Sequence, residues 1–162
     1  TTFPAPPAAP LTFTTVFGVP NSTTIVTGTA AGGNAASLAA DDNNLFQVAS
    51  TTTGTTRRTS YTGLIPNVPR TSTSLRLDVR TSSAGTCTQV ISIYNYNSSS
   101  WVQLNSRSIG TTETTVANLS PSGAPSNFIS GSAATGNVQF RVACSRTLQN
   151  FTHRSEFVRL SY

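Results

Sequence analysis

The chain has 162 residues, 50 of them Ser or Thr and only 15 charged, 9% against a globular norm of about 25%. That length accommodates one domain with a single sizeable core, and no apolar run approaches the roughly 20 residues needed to cross a bilayer, so a membrane span is excluded. All ten cations are Arg, giving a formal charge of +5, but they are scattered, with Arg57-Arg58 the only adjacent pair. No basic run interleaved with aromatics is present, which excludes nucleic acid as a partner and leaves open a weaker attraction to anionic glycans or cell-wall polymers.

In chain order the first element is an arm. Pro4, Pro6, Pro7 and Pro10 fix φ and remove backbone donors, so residues 1–10 are neither helix nor central strand but an extended, polyproline-like segment. Next comes LTFTTVFGV, with Leu11, Phe13, Val16, Phe17 and Val19 apolar and prolines at both ends, the pattern of an edge strand whose partner need not belong to the same chain. Ten proline-rich residues make few internal hydrogen bonds and need a surface to lie on. Pro4, Pro6, Pro7, Pro10, Leu11, Phe13, Val16, Phe17 and Val19 are therefore the candidate assembly residues, held by an adjacent copy. The expected division is an arm with an edge or donated strand over 1–19 and one domain over 20–162.

From residue 20 onward the period is two almost everywhere. SLRLDVR puts Leu75, Leu77 and Val79 on one face, and NVQFRVAC puts Val138, Phe140, Val142 and Cys144 on one face with Gln139 and Arg141 on the other. Similar runs recur between turn clusters such as TAAGGNAAS, TTTGTT and SPSGAPSN, and only Asn34 to Asn44 is suited to a helical turn. About ten short strands at this spacing predict an all-β antiparallel sandwich of jelly-roll type. Asp41 and Asp42, followed by Asn43 and Asn44, offer hard oxygen ligands that suit calcium, although such clusters commonly form turns through side-chain to backbone bonds. No other cofactor is expected.

Cys87 and Cys144 stand at the ends of two strongly β-patterned runs, which predicts a disulfide tying two strands. Together with the absence of Met, this fits a mature secreted, extracellular or cell-surface chain. The sequons at Asn21, Asn97, Asn118 and Asn150 make it a candidate glycoprotein. In ISIYNYNSSSW, Tyr94 and Tyr96 share one strand face and Trp101 follows. Rings presented side by side are a candidate glycan platform, while the commoner fate of a lone Trp is to fill the core or lid. His153, the only histidine, is expected at the surface, and no nucleophile motif accompanies it, so no catalytic residue is assigned and the chain is expected not to be an enzyme.

The stretches Ser37 to Ser50, Trp101 to Glu113 and Phe140 to Arg146 resemble three recurring segments of a β-sandwich module found in secreted, often multidomain bacterial proteins. The resemblance runs from Thr27 to Tyr162 and implies an accessory unit with no agreed catalytic residues. Two functions follow from the residues. The first is a non-enzymatic structural subunit that assembles head to tail with copies of itself into a filament or surface layer. The alternative is a carbohydrate-binding module.

Overall fold

The structure, a computed structural model, describes residues 15–162. The arm, and with it Pro4, Pro6, Pro7, Pro10, Leu11 and Phe13 as candidate assembly residues, lies outside the described residues. In chain order the strands are β1 (Phe17–Gly18), β2 (Ser22–Thr27), β3 (Thr29–Gly32), β4 (Phe46–Ala49), β5 (Thr51–Thr53), β6 (Thr56–Pro69), β7 (Arg76–Ser83), β8 (Cys87–Asn95), β9 (Ser100–Ile109), β10 (Thr114–Leu119), β11 (Thr135–Thr147) and β12 (Thr152–Ser161). Two 3-10 turns, Ala35–Leu38 and Pro125–Phe128, complete the set. The expected helical turn is the first of these, started by Asn34, whose side chain accepts from the Ala36 N–H at 2.9 Å.

The strands form two antiparallel sheets. Sheet I runs β10-β7-β12-β4-β3, with β1 also on β12; sheet II runs β2-β6-β11-β8-β9, with β5 also on β6. Alternation does what the sequence predicts: Val138, Phe140, Val142 and Cys144 of β11 point into the sandwich, as do Leu77 and Val79 of β7. The core joins the two inner faces through Tyr61, Ile65, Ile91, Ile93, Phe140, Val158 and Leu160, each at most 1% exposed. Gly63 is required at its place in β6, because a Cβ there would collide with the Phe140 ring opposite it. Cys87 and Cys144 are disulfide-bonded between the adjacent strands β8 and β11, and pack with Ile109 and Phe151 at one end of the sandwich.

Two features differ from the sequence reading. β6 runs on past Leu64 through Pro66, because the pairing with β2 ends at Ser22 opposite Leu64 and the register with β11 shifts between Ile65 and Val68. A proline is tolerated at such a bulge, and Asn67 beside it takes φ 60°. His153 is not at the surface: it faces inward from β12 and is 1% exposed. The apolar segment before Pro20 contributes Phe17–Gly18 as a short edge strand among its described residues, paired with Ser161 and Leu160 of its own chain. The Tyr162 N–H also donates to the Val16 carbonyl at 3.2 Å. Val16, Phe17 and Val19 remain exposed there at 49%, 53% and 37%.

Candidate functional site

The outer face of sheet II gathers the aromatics that the sequence singled out. On β8, Ile93 points into the core, so Tyr94 points out; on β9, Val102 packs against the core, so Trp101 points out. The two are a cross-strand pair, with ring centroids 5.2 Å apart at 69°. Tyr96 lies just past the end of β8, its N–H donating to the Asn127 carbonyl at 2.8 Å, and its ring meets Tyr94 edge-on at 5.0 Å. Burial pushes the Tyr96 hydroxyl up, partly offset by a hydrogen bond with Ser130. Trp101 therefore stands outside the core, in contrast to the commoner fate of a lone Trp. Edge-to-face pairs of this kind contribute about 0.5–1.5 kcal/mol each beyond burial, which holds the three rings as one group.

Sequence reasoning missed the cation of the group. Arg141, outward on β11 by the alternation that sends Phe140 and Val142 inward, lays its guanidinium over the Trp101 ring at 4.6 Å from the centroid. The outward direction was readable from NVQFRVAC. What the sequence could not supply is that β11 and β9 lie on either side of β8.

Beside this group, a cleft of about 260 Å³ opens on the same face. Thr27, Ser60, Ala143 and Val90 succeed one another across four strands, each in register with the next, and form its floor. Arg141 stands on one side and Arg58 on the other. No carboxylate lines the cleft, and among the described residues neither arginine is in an ion pair. Tyr96 also borders a second cleft of about 390 Å³ at the sandwich end, where Arg70 spends its donors on the carbonyls of Ile129 and Gly131 at 2.7 and 2.6 Å. The surface can thus offer ring faces, a floor that carries the Thr27 and Ser60 hydroxyls, and unpaired guanidinium donors.

The other predicted positions serve the fold. Asp41 pairs with Arg80 at 3.0 Å, and Asp42 accepts from the Asn44 N–H at 3.0 Å, the turn-forming role. The N–H groups of Asp42 and Asn43 both donate to the Glu156 carboxylate. Among the described residues no group of three or more His, Cys, Asp or Glu converges as a metal site, so the candidate calcium ligands have no partners of that kind. His153 lies 2.9 Å from the Gln89 amide nitrogen, which also donates to Thr81 at 2.7 Å. The four sequon asparagines are all exposed.

No family model matches the chain, and no curated protein does. Solved structures share its general outline at low similarity. The C-terminal family 6 carbohydrate-binding module of a marine laminarinase from Zobellia galactanivorans is 11% identical, with 92% of this chain and 100% of that one covered and a TM-score of 0.46. A family 11 carbohydrate-binding module of a cellulosomal cellulase of Clostridium thermocellum is 13% identical over 94% and 88%, with a TM-score of 0.45. A family 36 carbohydrate-binding module in complex with calcium and xylotriose is 17% identical over 93% and 100%, with a TM-score of 0.43.

Proposed function

We propose that the protein is a non-catalytic carbohydrate-binding domain whose ligand lies on the outer face of sheet II. The observation that carries this reading is the outward group of Tyr94, Tyr96 and Trp101 at the edge of a cleft, with Arg141 over the indole. Sugar rings have apolar faces and polar edges, so a site for them needs flat aromatic area flanked by hydrogen-bond donors. Here the rings supply the first and Arg141, with the hydroxyls of the cleft floor, supplies the second. An arriving sugar takes the place of the guanidinium over Trp101, and the released donors turn to its hydroxyls. A non-catalytic role is supported by the only histidine being buried against Gln89. The disulfide supports a secreted, extracellular setting.

Affinity electrophoresis in gels cast with a panel of soluble polysaccharides tests the reading. The intact protein is expected to be retarded by at least one polymer, and Trp101→Ala to lose at least tenfold in affinity. Because Trp101 is outside the core, the variant should melt within a few degrees of the parent. A protein retarded by no polymer, or a variant that binds as well as the parent, overturns the proposal.

A second reading, self-assembly through the N-terminal segment into a filament or surface layer, is favoured by one observation. Val16, Phe17 and Val19 place three exposed apolar side chains side by side at the edge of sheet I, directly after residues 1–14.

A further inference from the structure

The charges of the molecule are divided between its two sheets. All five acids belong to sheet I or to the loops beside it: Asp78 and Glu156 are on β7 and β12, Glu113 directly precedes β10, and Asp41 and Asp42 lie in the loop that packs on Glu156. There they are occupied, Asp41 and Glu113 by Arg80, Asp78 by Arg159, and Glu156 by backbone donors. The strands of sheet II carry no acid at all and five of the ten arginines: Arg57, Arg58, Arg107, Arg141 and Arg146. Of these, Arg58 and Arg141 face the cleft on the outer side, whereas Arg107 stands opposite the buried Gln89 and Arg57 opposite Arg146, two residues past the inward Cys144. Cations facing one cleft without counter-charges raise the local concentration of anions there.

We infer that the glycan bound on sheet II is acidic, bearing carboxylate or sulfate groups that bridge Arg58 and Arg141; this rests on the carbohydrate-binding reading. Arg58 is opposite Ser145 and Arg141 opposite Thr62, so the two are four residues apart along neighbouring strands. At a rise of about 3.3 Å per residue their Cα atoms are separated by roughly 13 Å along the sheet, a span of a few linked sugar rings. The floor between them, Ser60 and Ala143, is low enough for a chain to cross. Guanidinium groups bind carboxylate and sulfate oxygens through paired N–H donors, and Arg141 has its donors free for them once a sugar ring takes its place over Trp101. One arginine beside the rings and one a few sugars away suit a repeating anion with ring faces. A nucleic acid backbone calls for more cations than two.

The test uses matched polymers that differ only in charge. Polygalacturonate and its fully methyl-esterified form share one backbone, as do dextran sulfate and dextran. The full chain is expected to bind at least one charged member at least tenfold more tightly than its neutral partner, with affinity falling as salt rises. Arg58→Gln and Arg141→Gln should each weaken the charged ligand about tenfold and leave the thermal midpoint unchanged. Preference for polygalacturonate supports the inference with carboxylate as the anion, and preference for dextran sulfate supports it with sulfate. Equal affinity within both pairs, or arginine variants that bind like the parent, overturns it while leaving a neutral-glycan site intact. Duplex DNA bound as tightly as either acidic polymer, and lost in the same variants, overturns it in favour of a phosphate backbone. Failure to bind any polysaccharide removes the carbohydrate reading itself.

Discussion

His153 accepts a hydrogen bond at Nε2 from the Gln89 amide, 2.9 Å away, inside a sandwich where its other neighbours are the uncharged Ser83 and Val48 in register with it and the Tyr61 ring. Burial pushes its imidazole down to about 4, because nothing close by compensates a positive charge. The folded state therefore keeps His153 neutral, while the unfolded chain takes up its proton near the ordinary value of about 6.5. Stability is complete above that value and falls as pH drops toward 4, by about 3 kcal/mol in all from this group. Urea unfolding between pH 7.5 and 4 should show the midpoint falling on acidification, with a slope of up to one proton. His153→Gln keeps a polar partner for Gln89 and should flatten that part of the curve; an unchanged slope in the variant would assign the proton elsewhere. The sequence gives no warning of this burial, because NFTHRSEF is polar on both sides of the histidine. Only pairing with Val48 of β4 and Ser83 of β7 turns the ring inward.

At the scale of an element, β12 explains both what was legible and what was not. Its neighbour on one side is β7 throughout, while on the other it pairs with β4 over Thr152–Ser155 and with β1 at Leu160 and Ser161. The register with β7 shifts between Ser155 and Phe157, so Glu156 is the extra residue and the inward positions change from 153 and 155 to 158 and 160. The loop over residues 39–45 fills the gap between β4 and β1, and its Asp42 and Asn43 N–H groups close on Glu156. Glu156→Ala leaves those donors without an acceptor in a partly buried place and should cost about 2 kcal/mol in denaturant unfolding. Asp41→Asn, which removes only an exposed ion-pair partner, should cost well under 1 kcal/mol. A Glu156→Ala loss no larger than that of Asp41→Asn would show that the loop holds without the carboxylate. Strands with uninterrupted alternation, such as β7 and β11, were readable residue by residue. Bulges reverse the phase without any mark in composition, so the burial of Glu156 and the length of β6 were not. The aromatics of the candidate site were legible because Tyr94 sits in an unbroken alternation, whereas Arg141 joined them only through strand order.

The whole molecule carries its two candidate surfaces at separate places, the cleft on the outer face of sheet II and the exposed apolar edge at β1 in sheet I, so truncation at the N-terminus can separate them. Removing residues 1–15 leaves β1 paired to β12 and leaves Tyr94, Trp101 and Arg141 untouched. Removing residues 1–19 also takes away the Phe17–Gly18 pairing and the Phe17 ring, which Arg159 overlies at 5.0 Å. If copies join through the N-terminal segment, sedimentation velocity should show the full chain as an association that deletion of 1–15, which leaves the Val16, Phe17 and Val19 edge, weakens with the thermal midpoint nearly unchanged. Deletion of 1–19 should abolish it and lower stability by about 1–2 kcal/mol, since β12 loses backbone partners along part of one edge. Polysaccharide binding at the level of a single subunit should survive both deletions, because no residue before Thr27 lines the cleft. A full chain that sediments as a monomer at all concentrations, or truncated chains that associate as the full chain does, would remove the N-terminal segment from assembly and leave the face of sheet II as the surface that carries function.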